Sequence, residues 1–200
     1  RDHLWHTAKM SRVDTDDDTL NGHGGAVFNI RASSLWFFDA LSEELGSAVP
    51  ATDWKSESVA AKRAKWRAEI DAERPGIVPV ADALKKALPA DAMIYSDMTQ
   101  FAYAAKEVYP MDRPGHWHHP YGFGTLGYAL PAAIGGKIGL CDQPTIAILG
   151  DYGFQYTVQE LAVAVELELT LPIIIWDNGK LGEIEDSMVR AQIAPNAVVQ

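Results

Sequence analysis

An α/β architecture, with a parallel sheet covered by helices on both faces, is predicted by three features of this sequence. From Ile77 onward, short apolar runs alternate with segments of helical periodicity. The apolar runs Thr145 to Leu149 and Leu171 to Trp176 read as buried strands. The composition, 48% hydrophobic and 22% charged over 200 residues, suffices to bury a core.

Composition also excludes several function classes. Disorder, collagen and coiled coil do not fit it. The single Cys141 rules out a disulfide framework and fits a reducing compartment, so a cytoplasmic protein is expected. No apolar run approaches the ~20 residues of a bilayer span, so no membrane partner is expected. A net charge of -10 argues against binding a phosphate backbone, which needs clustered Lys and Arg. The chain opens Arg1-Asp2-His3 without an initiator Met or a basic-then-apolar leader, which points to a piece of a longer protein.

Three regions follow, with boundaries near residues 50 and 75. In residues 1–50, Asp14 to Asn21 reads as a solvated acidic loop and Ala26 to Ile30 as a strand. Ser33 to Leu45 reads as a helix, with Leu35, Phe38, Leu41 and Leu45 on one side and Gly46 as its stop. In residues 51–75, Ser56 to Glu73 mixes Lys, Arg and Glu with few apolar positions. This predicts a solvent-facing connecting helix that ends at Arg74-Pro75-Gly76. In residues 76–200, Val78 to Leu88 is helical and Met93 to Ser96 is a short strand, followed by the strand Thr145 to Leu149. Thr157 to Leu169 is read as a helix opened by the capping box Thr157-x-x-Glu160, and Leu171 to Trp176 as the next strand. Strands separated by helices in this way form βαβ units.

The chemistry gathers at two strand ends. Gly150-Asp151 ends one buried strand and Asp177-Asn178 ends the next. If those strands are parallel neighbours, Asp151 and Asn178 share the carboxyl edge where open α/β sheets place ligands. Two hard oxygen donors there suit Mg²⁺, and the helix expected from Thr157 would offer free N–H groups to an anion. Lys180 is the one basic residue between Gly150 and Gly182, so a diphosphate there would rely on metal and backbone for neutralisation.

The spacing of these residues resembles a known family. Gly150-Asp151-Tyr152, Phe154-Gln155, Glu160-Leu161, Leu171-Pro172 and Asp177-Asn178, with 27 residues from Asp151 to Asn178, resemble the thiamine diphosphate motif of the acetolactate synthase and 2-oxo acid decarboxylase family. The run from Gly122 to Gly135 is similar to the stretch that precedes this motif, and Ser96 to Gln100 resembles the loop that meets the diphosphate. The resemblance covers residues 76–200. It implies a thiamine diphosphate-binding fold there and the end of a middle α/β domain in residues 1–50.

By that resemblance, Asp151, Asn178 and the carbonyl of Lys180 would ligate Mg²⁺. Met98, Thr99, Gln100, Gly150, Tyr152, Gly153, Leu181 and Gly182 would line the diphosphate and its approach. Gly124 and Leu126 would meet the aminopyrimidine, with Leu126 as the wedge that bends the cofactor. The cofactor would do the carbanion chemistry and the protein would orient it. The implied activity is non-oxidative decarboxylation of a 2-oxo acid, with acetolactate synthase-type carboligation as the alternative. The implied assembly is a homo-oligomer, dimer or tetramer, with its site between subunits.

The family usually has a small residue where Tyr152 stands and Asn where Asp177 stands, and neither is a ligand position. Its catalytic glutamate lies in a separate N-terminal domain, and nothing here matches it. The resemblance thus implies that the 200 residues start within a middle domain, stop soon after the metal motif, and would not catalyse alone.

Other readings compete. Gly-Asp and Asp-Asn pairs each also make ordinary turns. Gly122-x-Gly124-x-x-Gly127 spells a dinucleotide fingerprint and would suit a non-catalytic nucleotide-binding module, but Arg113 to Pro120 before it cannot be a central strand. His116, His118 and His119 read as a surface or pocket-rim loop in preference to a zinc site. Asp14-x-Asp16-x-Asp18 begins like a calcium loop but has Thr19 and Gly25 where Gly and Glu are needed. Cys141 reads as a packed thiol. Glu183, Glu185 and Asp186 read either as a solvated helix face or as acidity suited to a cationic substrate tail, as in the family's 5-guanidino-2-oxopentanoate decarboxylase, whose pattern is similar.

Overall fold

The computed structural model describes residues 10–22, 26–48 and 54–196. Gly25, residues 51–53 of the linker and parts of the region 1–50 lie outside the described residues. The chain divides into two compact units, Arg1–Lys55 and Ser56–Gln200.

In the first unit, strands β1 (Ser11–Asp14) and β2 (Phe28–Arg31) pair in parallel, with Ser11 opposite Phe28. Helix α1 (Asp17–Asn21) lies between them in sequence and buries Leu20. This corrects the acidic loop expected over Asp14 to Asn21. Asp16 accepts hydrogen bonds from the Thr19 backbone N (2.9 Å) and Oγ1 (2.8 Å), so the acidic run caps a helix. The strand expected at Ala26 starts at Phe28. Helix α2 (Ser34–Leu45) ends at Gly46, whose φ of +52° suits glycine.

The second unit opens with α3 (Ser56–Glu73), which buries no residue, as a solvent-facing helix should. Arg67 ties it down: Nη2 lies 2.7 Å from both Asp82 carboxylate oxygens, and Nη1 donates to the Val108 carbonyl (2.9 Å). The helix α4 (Ile77–Ala87) then leads to β3 (Met93–Ser96), α5 (Gln100–Val108), the two-residue strand β4 (Trp117–His118), α6 (Ala129–Gly139) and β5 (Thr145–Gly150). After α7 (Asp151–Thr157) come a 3₁₀ turn (Val158–Glu160), α8 (Leu161–Glu166), β6 (Ile173–Trp176) and α9 (Gly182–Arg190).

The four strands are parallel in the order β4-β3-β5-β6. One core packs α4 and α5 against one face through Ile77, Ala81, Phe101, Ala105 and Ile148. The other packs α6 and α8 against the opposite face through Leu130, Ala133, Ala164 and Leu149. Helices therefore cover both faces. The chain runs from β3 outward to β4, then returns to place β5 on the other side of β3, so the order reverses between β3 and β5. A reversal of this kind leaves a crevice at the carboxyl ends of the two strands.

Four expectations for this unit need correction. The helix expected over Thr157 to Leu169 is broken: α7 ends at Thr157, a 3₁₀ turn follows, α8 covers only Leu161–Glu166, and the capping box does not form. The Thr157 methyl faces Gly127, and its hydroxyl is buried without a partner. The second strand is not fully buried: β6 is an edge strand among the described residues, and Ile174 and Ile175 are exposed. His116 to His119 do not form a surface loop, because β4 pairs with β3 and His119 is buried. Cys141 is exposed, because it falls in the turn after α6, where Lys137 Nζ donates to its carbonyl (2.6 Å). Among the described residues no helix is long and apolar enough to cross a membrane.

Candidate functional site

Each parallel strand delivers a short loop to the same crevice. After β3 come Met98, Thr99 and Gln100, and after β5 come Gly150 to Gly153. The loop after β6 supplies Asn178 to Gly182, and Gly124 and Leu126 reach in from the loop before α6. The structure thus brings all thirteen residues singled out in the sequence to the wall of one open cleft. Tyr103, Trp176 and Ile184 also line it, and nothing in the motif pattern flagged them. Tyr103 stands one helical turn beyond Thr99, a spacing that could have revealed it.

The local geometry follows from residue types. Thr99 is the N-cap of α5, its Oγ1 accepting from the Ala102 N (2.9 Å), which fixes the turn carrying Met98. Tyr103 donates its hydroxyl to Met98 Sδ (3.0 Å). Gly124 has a φ of +72°, and its backbone N donates to the Pro120 carbonyl (2.9 Å). At the β6 end two side-chain turns follow each other. Asp177 Oδ1 accepts from Gly179 N (3.0 Å), and Asn178 Oδ1 accepts a longer bond from Lys180 N (3.3 Å). Asp177 therefore braces its own turn.

Asp151 occupies the first turn of α7, directly after β5, and Gly150 pairs with Trp176 in the sheet register. This sets Asp151 and Asn178 on neighbouring strand ends. The Asp151 carboxylate, the Asn178 amide oxygen and the Lys180 carbonyl are hard oxygen donors, a chemistry that suits Mg²⁺. The space around Asn178 depends on Gly182, where a Cβ would come within 2.9 Å of Asn178 Nδ2. Among the described residues no group of three or more His, Cys, Asp and Glu side chains is placed to hold a metal.

Charge around the cleft is largely paired. Arg74 Nη1 and Nη2 reach the two Glu183 oxygens at 2.7 and 3.3 Å, and Lys180 Nζ reaches Glu185 Oε2 at 2.5 Å. That hydrogen bond and the charge of Glu185 raise the Lys180 pKa. Next to Met98, at the end of β3, lies the buried Asp97, to which the Ser96 to Gln100 motif gave no role. Burial pushes its carboxyl pKa up, and hydrogen bonds from backbone N–H groups of residues 127–129 pull it down.

Residues 97–196 match the family model for the C-terminal TPP-binding domain of thiamine pyrophosphate enzymes. The chain belongs to the thiamine pyrophosphate enzymes. The chain is 37% identical over 204 residues to the probable 2-ketoarginine decarboxylase AruI of Pseudomonas aeruginosa, a match covering 100% of this chain and 36% of that protein. It is 33% identical over 127 residues to the acetolactate synthase isozyme 3 large subunit of Escherichia coli, covering 60% of this chain and 22% of that one. The chain thus spans about a third or less of these relatives. Among solved structures, a thiamine diphosphate-dependent 4-hydroxybenzoylformate decarboxylase of Rhodococcus jostii shares the fold. Its TM-score is 0.56 at 22% identity, over 62% of this chain and 23% of that one. Thiamine pyrophosphate, the same molecule as thiamine diphosphate, is therefore the ligand class of the domain.

Proposed function

We propose that the intact protein is a thiamine diphosphate- and Mg²⁺-dependent enzyme that decarboxylates a 2-oxo acid without oxidation. The convergence of the thirteen motif residues on one cleft at the switch point of the sheet carries this reading. Asp151, Asn178 and the Lys180 carbonyl hold Mg²⁺. Met98, Thr99, Gln100, Gly150, Tyr152, Gly153, Leu181 and Gly182 line the diphosphate, while Gly124 and Leu126 meet the aminopyrimidine and Leu126 sets its bend. When bound, the cofactor supplies a nucleophilic carbon and an electron sink. The chain's own contribution is to fix that group and screen one side of it from water with Tyr103, Trp176 and Ile184.

A cationic substrate tail is the finer proposal, supported by the AruI relative and by the acidity at the start of α9. Glu183 and Glu185 already hold Arg74 and Lys180, so a guanidino tail would have to compete for them or use Asp186. The intact enzyme is expected to act on 5-guanidino-2-oxopentanoate with higher kcat/KM than on neutral 2-oxo acids. The reverse order would remove the cationic-tail proposal.

The acetolactate synthase relatives favour a second reading, carboligation of two 2-oxo acids. Product analysis separates the two, an aldehyde marking decarboxylation and an acetohydroxy acid marking carboligation. The assembly proposed is a cytoplasmic homo-oligomer with its site between subunits. Residues 1–50 would be the end of a middle domain, 51–75 a connector and 76–200 the cofactor domain.

A further inference from the structure

Asp97 is the one fully buried carboxylate among the described residues. It stands at the carboxyl end of β3, and its backbone N donates to the Ile148 carbonyl of β5 (2.9 Å). Its carboxylate accepts from Gly127 N at 2.7 Å and from Ala129 N at 2.6 Å. Helix α6 has Tyr128 at its N-cap position, and that side chain makes no cap. Asp97 therefore caps α6 from a different element, where a negative charge also meets the positive end of the helix dipole.

A third segment closes on the same carboxylate. Gly153, in the first turns of α7, abuts it so closely that a Cβ at position 153 would overlap Asp97 Oδ2. Gly127 in turn presses on α7: a Cβ there would stand 3.1 Å from both Thr157 Cγ2 and Tyr156 Cβ, and 3.4 Å from the Gly153 carbonyl. Its φ of +80° lets the loop turn sharply at that point. The end of β3, the loop before α6 and the start of α7 thus meet at Asp97. These three segments carry Met98 to Gln100, Gly124 with Leu126, and Asp151 with Tyr152 into the cleft.

We propose that Asp97 is a positioning residue that locks the Gly124–Leu126 loop to the β5 end of the cleft, fixing the separation of the walls that meet the two ends of thiamine diphosphate. The proposal rests on the reading of the cleft given above. It also gives Gly153 a second role, as the space the Asp97 carboxylate needs.

The test uses the full-length protein and the near-isosteric variant Asp97→Asn, whose amide can accept from only one of the two N–H donors and turns its own N–H₂ toward the other. In the cofactor-free state, the amides of residues 124–129 are expected to exchange at least about 10-fold faster than in the wild type. The Kd for thiamine diphosphate with Mg²⁺ is expected to rise at least about 10-fold. The near-ultraviolet circular dichroism that the bound cofactor gains from its fixed ring orientation should weaken. Unchanged exchange at 124–129, or faster exchange with wild-type Kd and dichroism, would overturn the proposal. If Asp97→Asn does not fold, Gly127→Ala disturbs the same loop with the carboxylate intact, and wild-type affinity and dichroism in that variant would overturn it too. A wild-type protein that bound no thiamine diphosphate would defeat the reading of the cleft, while the exchange comparison would still decide whether Asp97 holds the loop.

Discussion

His119 shows how a single side chain in the second unit answers to its surroundings. Its Nδ1 lies 2.9 Å from Ser96 Oγ, and its ring packs edge-on to Tyr103 and Tyr121. Trp117 Nε1 donates to the same Ser96 oxygen (2.7 Å), so the hydroxyl is shared between the two rings. Burial, and then the nearby Lys106 ammonium, hold the His119 pKa down at about 4. A histidine in the unfolded chain takes up its proton near pH 6.5. Between these values the unfolded state binds more protons, so stability rises with pH from about 4 to 6.5 and is lost as pH falls through that window. Denaturation midpoints measured at pH 5 and 7.5 should therefore differ less in His119→Gln, which still offers Ser96 a hydrogen-bond partner but does not titrate. An equal pH response in the two proteins would contradict this account of His119.

At the scale of elements, the packing of α6 on β3 leaves no room for a side chain at one glycine. A Cβ at Gly136 would run into the Tyr95 hydroxyl and ring, and Tyr95 is buried and stacked on His118 with ring centroids 4.7 Å apart. Alanine inside a helix usually gains up to about 1 kcal/mol over glycine. Overpacking of a rigid buried ring costs about 1–3 kcal/mol. Gly136→Ala should thus lower stability in denaturant titration, and a gain would mean that β3 and α6 separate more easily than their packing implies. The elements also show which signals a sequence carries. The bounds of α3 were legible because Arg74-Pro75-Gly76 stops a helix whatever surrounds it. The first turn of α7 was not, because Thr157-x-x-Glu160 has the form of a cap while the Thr157 methyl packs toward Gly127. β1 escaped notice because Val13 is its one large aliphatic residue, and the exposure of β6 depends on what stands beside it, which no local pattern encodes. The thirteen cleft residues were legible through the family resemblance of the motifs that carry them. Tyr103 was missed although it follows Thr99 by one helical turn, and the part Asp97 plays was not legible, since its carboxylate bonds the distant Gly127 and Ala129.

For the molecule as a whole, the net charge of -10 takes on a particular meaning. Lys180, the one basic residue between Gly150 and Gly182, is engaged by Glu185, and Arg74 by Glu183. An anionic cofactor in this cleft must then depend on a divalent cation and on backbone N–H groups, and this is the central claim. Loss of residues that merely orient metal ligands typically costs 10–100-fold in affinity, so loss of a ligand should cost more. The most direct measurement is a calorimetric titration of the intact protein with thiamine diphosphate, with and without Mg²⁺, in the wild type and in Asp151→Ala. Saturable binding that requires Mg²⁺ and weakens by more than about 100-fold in the variant is the predicted result. Binding that is equally tight without the metal, or unchanged by Asp151→Ala, would contradict it.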